Sequence, residues 1–233
     1  MRVVTYNFRA GGTAARDAWP ALAGLAPDIL LGQECRRPAA GGLRGAWLEA
    51  AERRWGTGLF LRERAVRSIQ IPEFAGWVCG AKLPRRDWMT EKPLRIFSIH
   101  CPGGGGSYVK TMHAILDAIA PHAAGTDVVL GGDFNVAAGL RRQTDKVRTS
   151  SGERRLFERL KHEFRLMACW QTMHPRQKLA QTLRWNGNPI TPYHCDGIFA
   201  PLSWRSRLVS CEVVASPQWD LLSDHNPVVA DFA

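Results

Sequence analysis

The sequence predicts an α/β sandwich of two sheets in a single domain that spans residues 1–233. Three observations predict it. Many short apolar segments have the length of strands, only three or four segments have helical periodicity, and no repeat, low-complexity tract or linker divides the chain. The composition, with 45% hydrophobic and 22% charged residues, is that of an ordinary globular protein.

Most predicted elements are strands. Residues 2–8 alternate, with Val3, Thr5 and Asn7 on one face. Residues 28–33 and 127–132 are apolar runs that indicate buried strands. The same reasoning predicts further strands at 59–62, 66–71, 77–83, 94–100, 166–172, 182–185, 195–200, 208–215 and 228–232.

Helical signals are fewer. Thr13 is a candidate cap for a helix that ends near Gly24. Apolar residues recur at helical spacing between 107 and 120, and an amphipathic pattern covers 153–163. The segment 47–53 predicts a fourth, short helix.

The charge balance favours a polyanionic partner. The net charge is +10 and the isoelectric point is near 9.8, which is typical of proteins that bind nucleic acid or acidic lipid. The six cysteines are scattered without a C-x-x-C pair, so we expect reduced, buried thiols. No apolar window of about 18 residues and no signal-peptide pattern occurs, so the sequence predicts a cytoplasmic protein without membrane association.

Polar residues lie where several apolar strands end or begin. Binding groups collect at strand ends, and buried carboxylates need a paired charge or a metal. A single such residue is equally consistent with a turn or a surface acid, but eight together indicate a site. The eight are Asn7, Glu34, His100, Asp133, Asn135, Asp196, Asp224 and His225.

Six segments that contain these residues resemble the endonuclease/exonuclease/phosphatase superfamily. They are VTYN (4–7), GQE (32–34), SIH (98–100), GGDFN (131–135), CDGIF (195–199) and SDHNPV (223–228). The resemblance covers nearly the whole chain, in the family's order and at its usual spacing. It implies a four-layer α/β sandwich with two central mixed β-sheets flanked by helices, and a site at one edge.

The resemblance also implies a metal-dependent hydrolysis of phosphate esters. Glu34 would be the principal Mg²⁺ ligand, helped by Asn7 and Asp224, with Mn²⁺ as a possible substitute. His225 would activate water or stabilise the phosphorane, with Asp196 fixing its tautomer.

The remaining family positions imply supporting roles. Asp133 would orient the attacking water or serve a metal, and the sequence leaves open whether it or His225 is the base. Asn135 and His100 would donate hydrogen bonds to phosphate oxygens. At position 9, abasic-site endonucleases of the family usually carry a carboxylate or amide. Arg9 instead favours one Mg²⁺ and could hold a phosphate.

The sequence predicts the class of substrate less specifically than it predicts the residues of the site. Arginine pairs at 36–37, 85–86, 141–142 and 154–155, interleaved with Trp88 and Trp185, favour DNA or RNA. The candidate substrate contacts are Arg9, Arg36, Trp185 and Tyr193, the last at a position where abasic-site enzymes often place an aromatic residue.

The alternative function is that of a phosphatase or phosphodiesterase for a small-molecule or lipid phosphate. The glycine run 103–106 could close over a small substrate, although no apolar membrane-docking hairpin is present. A non-enzymatic binding module is disfavoured because every expected catalytic residue is present. The sequence leaves open endo- or exonucleolytic cleavage, abasic-site specificity and oligomeric state.

Overall fold

The protein was analysed as a computed structural model that describes residues 1–10, 14–36, 43–50, 53–62, 66–83, 91–103, 106–145, 147–188 and 193–233. Strands in these residues form two six-stranded sheets. The first contains β1 (Arg2–Asn7), β2 (Ile29–Cys35), β3 (Leu43–Glu49), β4 (Gly56–Arg62), β11 (Leu208–Val213) and β12 (Val228–Phe232), in the order β11-β12-β1-β2-β4-β3. The second contains β5 (Arg67–Gln70), β6 (Val78–Leu83), β7 (Leu94–His100), β8 (Asp127–Asp133), β9 (Leu166–Ala168) and β10 (Asp196–Pro201), in the order β5-β6-β7-β8-β10-β9.

Both sheets are mixed. β1 pairs with β2 in parallel, and β7 pairs with β8 in parallel, whereas the other neighbouring pairs are antiparallel. The carboxyl ends of β1, β2, β7 and β8 therefore lie on one side, together with the amino ends of β10 and β12. This edge gathers the polar residues that the sequence places at strand ends.

Apolar residues alternate between the two faces of each sheet. Ile29 and Leu31 point into a core between the sheets, which also contains Ile96, while Leu30 points to the opposite face of its sheet. Because both faces of both sheets are apolar, each sheet requires a partner layer on its outer side.

Five α-helices in the described residues supply those layers: α1 (Ala14–Gly24), α2 (Tyr108–Ala123), α3 (Ser151–His162), α4 (Cys169–Met173) and α5 (Pro217–Leu222). α1 and α5 cover the first sheet through Leu22 and Trp219. α2 and α3 cover the second sheet through Ile115 and Leu156. The layers are therefore helix, sheet, sheet and helix, which confirms the predicted four-layer sandwich.

Three local predictions are wrong. The segment 47–53 does not begin a helix, because Leu43–Glu49 pairs with β4 along its whole length. Leucine, alanine and glutamate favour helices by local preference, but pairing within the sheet overrides it here. The predicted strand 166–172 ends at Ala168, where α4 follows, and 182–185 forms only isolated bridges at Leu183.

The cysteine prediction fits the structure: all six are free and buried. No helix among the described residues is both long and apolar enough to cross a membrane.

Candidate active site

The edge where the parallel strands end brings the predicted residues together. β1 ends on Asn7, β7 ends on His100 and β8 ends on Asp133. Asp196 opens β10 opposite Asp133, because those two strands are antiparallel. His225 precedes β12, which runs antiparallel to β1 and so begins where β1 ends. Residues far apart in sequence thus meet because of strand order and direction.

Asn7 links two carboxylates. Its Nδ2 donates to Glu34 Oε1 at 3.1 Å and to Asp133 Oδ2 at 3.0 Å. Glu34 also accepts the backbone N–H of Ala10 at 2.6 Å, and Arg9 N–H donates to Asn7 Oδ1 at 2.9 Å. These contacts hold Glu34 and Asp133 on either side of one amide.

His225 forms the other half of the site. Its Nδ1 lies 2.9 and 3.1 Å from the two Asp196 oxygens. A carboxylate only accepts hydrogen bonds, so this pairing assigns the proton to Nδ1. Nε2 then faces the Asp133 carboxylate, 3.9 Å away from Oδ2. Glu34, Asn7, Asp133, His225 and Asp196 therefore form one continuous chain of contacts.

Burial and charge shift the proton affinities within this chain. Burial, followed by the charge of Asp196, raises the pKa of Asp133. Burial alone would lower the pKa of His225, but Asp196, Asp133 and Asp224 together raise it to about 10. The arrangement favours a protonated His225 imidazole beside the Asp133 carboxyl group, whose pKa is also raised.

His100 lies in an aromatic environment. Its ring is 5.4 Å from the ring of Trp55 and 5.0 Å from that of Trp77, and the Arg53 guanidinium covers both indoles. Nε2 lies 3.5 Å from Glu34 Oε1, whereas Nδ1 is buried and has no hydrogen-bond partner among the residues that the structure describes. Burial lowers the pKa of His100 to about 4, so the ring is neutral at physiological pH.

The backbone at the site is strained. Arg9, Ala10, Glu34 and Asn135 have φ values of 53°, 57°, 50° and 50°. Left-handed backbone is uncommon for residues other than glycine, and such residues concentrate at functional sites. The strain places the Ala10 N–H on Glu34 and the Asn135 N–H on Asp133 Oδ1, at 2.6 and 3.0 Å.

Several oxygens of the site fit a hard divalent cation. Glu34, Asp133 and Asp224 offer carboxylate oxygens, the donors that Mg²⁺ prefers. Asn7 directs its amide nitrogen at Glu34 and Asp133 and its oxygen at the Arg9 N–H, so its amide has to turn over to offer an oxygen to the same cation. In the described part of the chain no lysine or arginine pairs with Glu34 or Asp133, so a bound cation would balance their charge. Asp224 stands apart from Glu34. It lies 4.0 Å from His225 Nε2 and 3.5 Å from Arg9 Nε.

A second group of potential ligand atoms lies beside the imidazole. Cys195, Asp196 and His225 each offer one atom within 4.8 Å of the others. Two of them already bond to each other through the Nδ1 contact, and Cys195 Sγ lies 3.5 Å from Asp196 Oδ2. Hard oxygen donors are fewer here than around Glu34, so the group suits Mg²⁺ less well.

The predicted substrate contacts are spread around the edge. Tyr193 forms an isolated β-bridge with Leu183, and Leu183 forms another with His225. The side chain of Tyr193 is exposed. Trp185 and Arg36 are exposed as well. The other predicted contacts, Arg37, Arg85, Arg86 and Trp88, lie outside the described residues, as do 104–105 of the glycine run.

Sequence reasoning missed several supporting residues. Trp55 and Trp77 were not assigned to the site, and a Trp preceding a strand gives no signal that it will contact His100. Ser223 could have been found, since it belongs to the SDH segment. Its hydroxyl donates to Asn7 O at 2.8 Å and accepts the His225 N–H at 3.1 Å.

Comparisons with known proteins give matches by structure. No family model and no curated protein matches the sequence. The 3′ phosphatase NExo from Neisseria, solved with a product DNA hairpin, superimposes with a TM-score of 0.76 at 19% identity, covering 100% of this chain and 99% of its own. An AP endonuclease from Archaeoglobus fulgidus superimposes with a TM-score of 0.76 at 17% identity, covering 100% of this chain and 99% of its own. The Xenopus laevis APE2 catalytic domain gives 0.69 at 17% identity, with 100% and 91% coverage. The chain therefore shares the fold of these three proteins, and its six sequence segments resemble the endonuclease/exonuclease/phosphatase superfamily.

Proposed function

We propose that this protein is a Mg²⁺-dependent hydrolase that cleaves phosphodiester bonds of DNA. The observation that carries the proposal is the unbroken series of contacts from Glu34 through Asn7 and Asp133 to His225. A metal ligand and an imidazole that lie this close can act on a single phosphate.

The metal would be held by Glu34, with Asn7 and Asp224 in support. When bound, Mg²⁺ supplies positive charge to a phosphate oxygen and to the leaving oxygen. Arg9 places a positive charge beside Asp224, with Nε 3.5 Å from Asp224 Oδ2, which supports a single metal ion rather than two.

His225 and Asp133 have different roles in the proposed reaction. Asp196 holds the Nδ1 proton of His225, so Nε2 is the ring atom that faces the phosphate. The raised pKa of His225 supports a protonated ring that stabilises the developing negative charge. Asp133, whose pKa is also raised, is then the group that accepts the proton of the attacking water.

Two neutral donors complete the binding of phosphate. Neutral His100 can present an N–H without carrying charge. Asn135 donates one amide hydrogen to Cys101 O at 2.9 Å, which fixes the plane of its amide and leaves the second hydrogen for a phosphate oxygen.

DNA is the proposed substrate class for two reasons. The proteins of the same fold include a DNA-bound 3′ phosphatase and AP endonucleases. The chain also carries a net charge of +10, which suits a polyanion better than a small phosphate ester.

The test is incubation with Mg²⁺ and a panel of substrates: plasmid, abasic duplex, single-stranded DNA, RNA and phosphomonoesters. The matched pair of variants is Asp133→Asn and Asp127→Asn, because β8 begins with one buried aspartate and ends with the other. We expect DNA cleavage that Asp133→Asn abolishes and Asp127→Asn keeps. Turnover of phosphomonoesters alone, or of no substrate, would overturn the proposal.

A further inference from the structure

We propose that a second anion site lies in the segment that follows Asp133 and Asn135, and that it binds a backbone phosphate of the nucleic acid away from the reacting one. The inference rests on the proposed function. The site, here called the arginine pocket, is a cavity lined by Arg142, Gln143, Arg148, Thr149 and Arg154.

Arginine predominates among the residues that line the pocket. Three of the five lining residues are arginines, and the cavity has a volume of about 290 Å³, many times the roughly 30 Å³ that one water occupies. Arg142 is neutralised, because Asp145 Oδ1 accepts from its Nε and Nη2 at 3.1 and 3.0 Å. Arg148 and Arg154 are exposed, and within the described ranges neither side chain forms an ion pair.

Arginine in this setting selects phosphate. A planar guanidinium donates two parallel hydrogen bonds to phosphate oxygens. The repulsion between positive charges around one cavity also decreases when an anion enters it. Gln143 adds an amide donor. In the described part of the chain, no acidic side chain lines the cavity.

Hydrogen bonds connect the arginine pocket to the residues that directly follow Asn135. Glu153 accepts from Ala137 N at 3.4 Å and from Arg141 Nη1 at 3.2 Å. Thr149 Oγ1 accepts from Arg141 N at 2.8 Å. Ala137 is two residues beyond Asn135, so these contacts fix the position of the pocket relative to the proposed phosphate-binding residues.

The separation suits a polynucleotide. Arg142 follows Asn135 by seven residues, so the two lie at most about 25 Å apart. At about 3.4 Å per nucleotide along one strand, that distance spans at most about seven nucleotides. A strand of about seven nucleotides is therefore long enough to reach from the catalytic edge to the arginine pocket, as the proposal requires.

The experiment measures binding of a labelled 16-base-pair duplex by fluorescence anisotropy, in EDTA and at several salt concentrations. The test variant is Arg148→Ala/Arg154→Ala. The matched control is Arg67→Ala/Arg205→Ala, which removes two exposed arginines from the edge opposite the site. The folding of each variant is checked by its thermal midpoint. Arg148→Lys/Arg154→Lys keeps the charge if the alanine variant fails to fold.

Each lost phosphate contact reduces the slope of log affinity against log salt by about 0.9 and weakens binding about eightfold at 0.1 M salt. We expect the test variant to lose two such contacts, the control to lose none, and the lysine variant to keep the wild-type slope. Equal slopes in the test and control variants would overturn the proposal. So would tight binding of inorganic phosphate that leaves the affinity for DNA unchanged, because the pocket would then serve a free anion.

The measurement separates this inference from the proposed function, since EDTA prevents turnover. Arginine-dependent binding without cleavage in Mg²⁺ would support the pocket and refute the hydrolase. Cleavage with equal binding by the test and control variants would refute the pocket alone.

Discussion

Asp196 fixes the imidazole of His225 because its buried carboxylate offers only acceptors to Nδ1. At the scale of single residues, this is how the site sets the orientation of each reactive group. Ser223 holds the backbone before His225, and Asn7 holds Glu34 and Asp133. Both carboxylate oxygens of Glu34 and of Asp133 therefore accept hydrogen bonds that fix their orientation.

Asp196→Asn is predicted to lower kcat by about 10²–10⁴, because an amide lacks the negative charge that raises the pKa of His225 and keeps its ring protonated. The readout is Mg²⁺-dependent cleavage of the substrate found in the panel. Asp127→Asn is the control, since Asp127 accepts from Trp204 Nε1 at 3.1 Å at the far end of the same sheet. Wild-type kcat in Asp196→Asn would show that the pair plays no part.

Trp77→Ala is predicted to lower kcat at least tenfold with little change in KM, whereas Trp77→Phe retains most activity. The indole lies 5.0 Å from the His100 ring, and its removal leaves space for the imidazole to turn. Trp204→Ala serves as a control for stability, since Trp204 is buried far from the site. Equal losses of kcat in Trp77→Ala and Trp204→Ala would contradict a positioning role.

At the scale of elements, the sequence locates the reactive groups but not the residues that support them. Asn7, His100 and Asp133 are visible because each follows an apolar strand that the alternation of side chains predicts. The helix predicted at 47–53 is wrong over 47–49, the last residues of β3, because the pairing of β3 with β4 depends on contacts between separate segments. For the same reason the contact of Trp55 with His100 could not be predicted.

α3 begins with a reciprocal cap that also supports the site. Ser150 Oγ accepts from Glu153 N at 3.1 Å, and Glu153 Oε2 accepts from Ser150 N at 2.7 Å. Burial opposes ionisation of Glu153, but the hydrogen bonds from Ser150 and the charge of Arg141 outweigh it and lower its pKa. The ionised carboxylate is therefore bound more strongly in the folded state.

Glu153→Gln is predicted to lower the free energy of unfolding by about 1–2 kcal/mol at pH 7. A lowered pKa stabilises the fold above the ordinary value near 4.3, and that stability disappears as the pH falls through the folded value. The difference between wild type and variant should thus shrink between about pH 5 and pH 3. Urea titrations measure it, with exposed Glu158→Gln as control. A difference independent of pH would refute the role of the charge.

At the scale of the whole molecule, the site forms where the two sheets meet. Thr5 Oγ1 donates to Gln33 Oε1 at 3.2 Å, and Gln33 Nε2 donates across to Ser98 Oγ at 2.9 Å. Thr5 and Ser98 precede Asn7 and His100 by two residues, and Gln33 precedes Glu34 by one, so this buried polar bridge joins the sheets beneath the site. Apolar alternation predicts two sheets, but it carries no information on which residues face each other across them.

The central claim is that Glu34 and His225 act on one phosphate, and a double-mutant cycle tests it most directly. Single-turnover rates of Mg²⁺-dependent DNA cleavage are measured for Glu34→Gln, His225→Gln and the double variant. Residues that act as a unit are not additive, so the double variant should be about as slow as the slower single variant. A double variant whose loss equals the product of the two single losses, or single variants with wild-type rates, would contradict the claim.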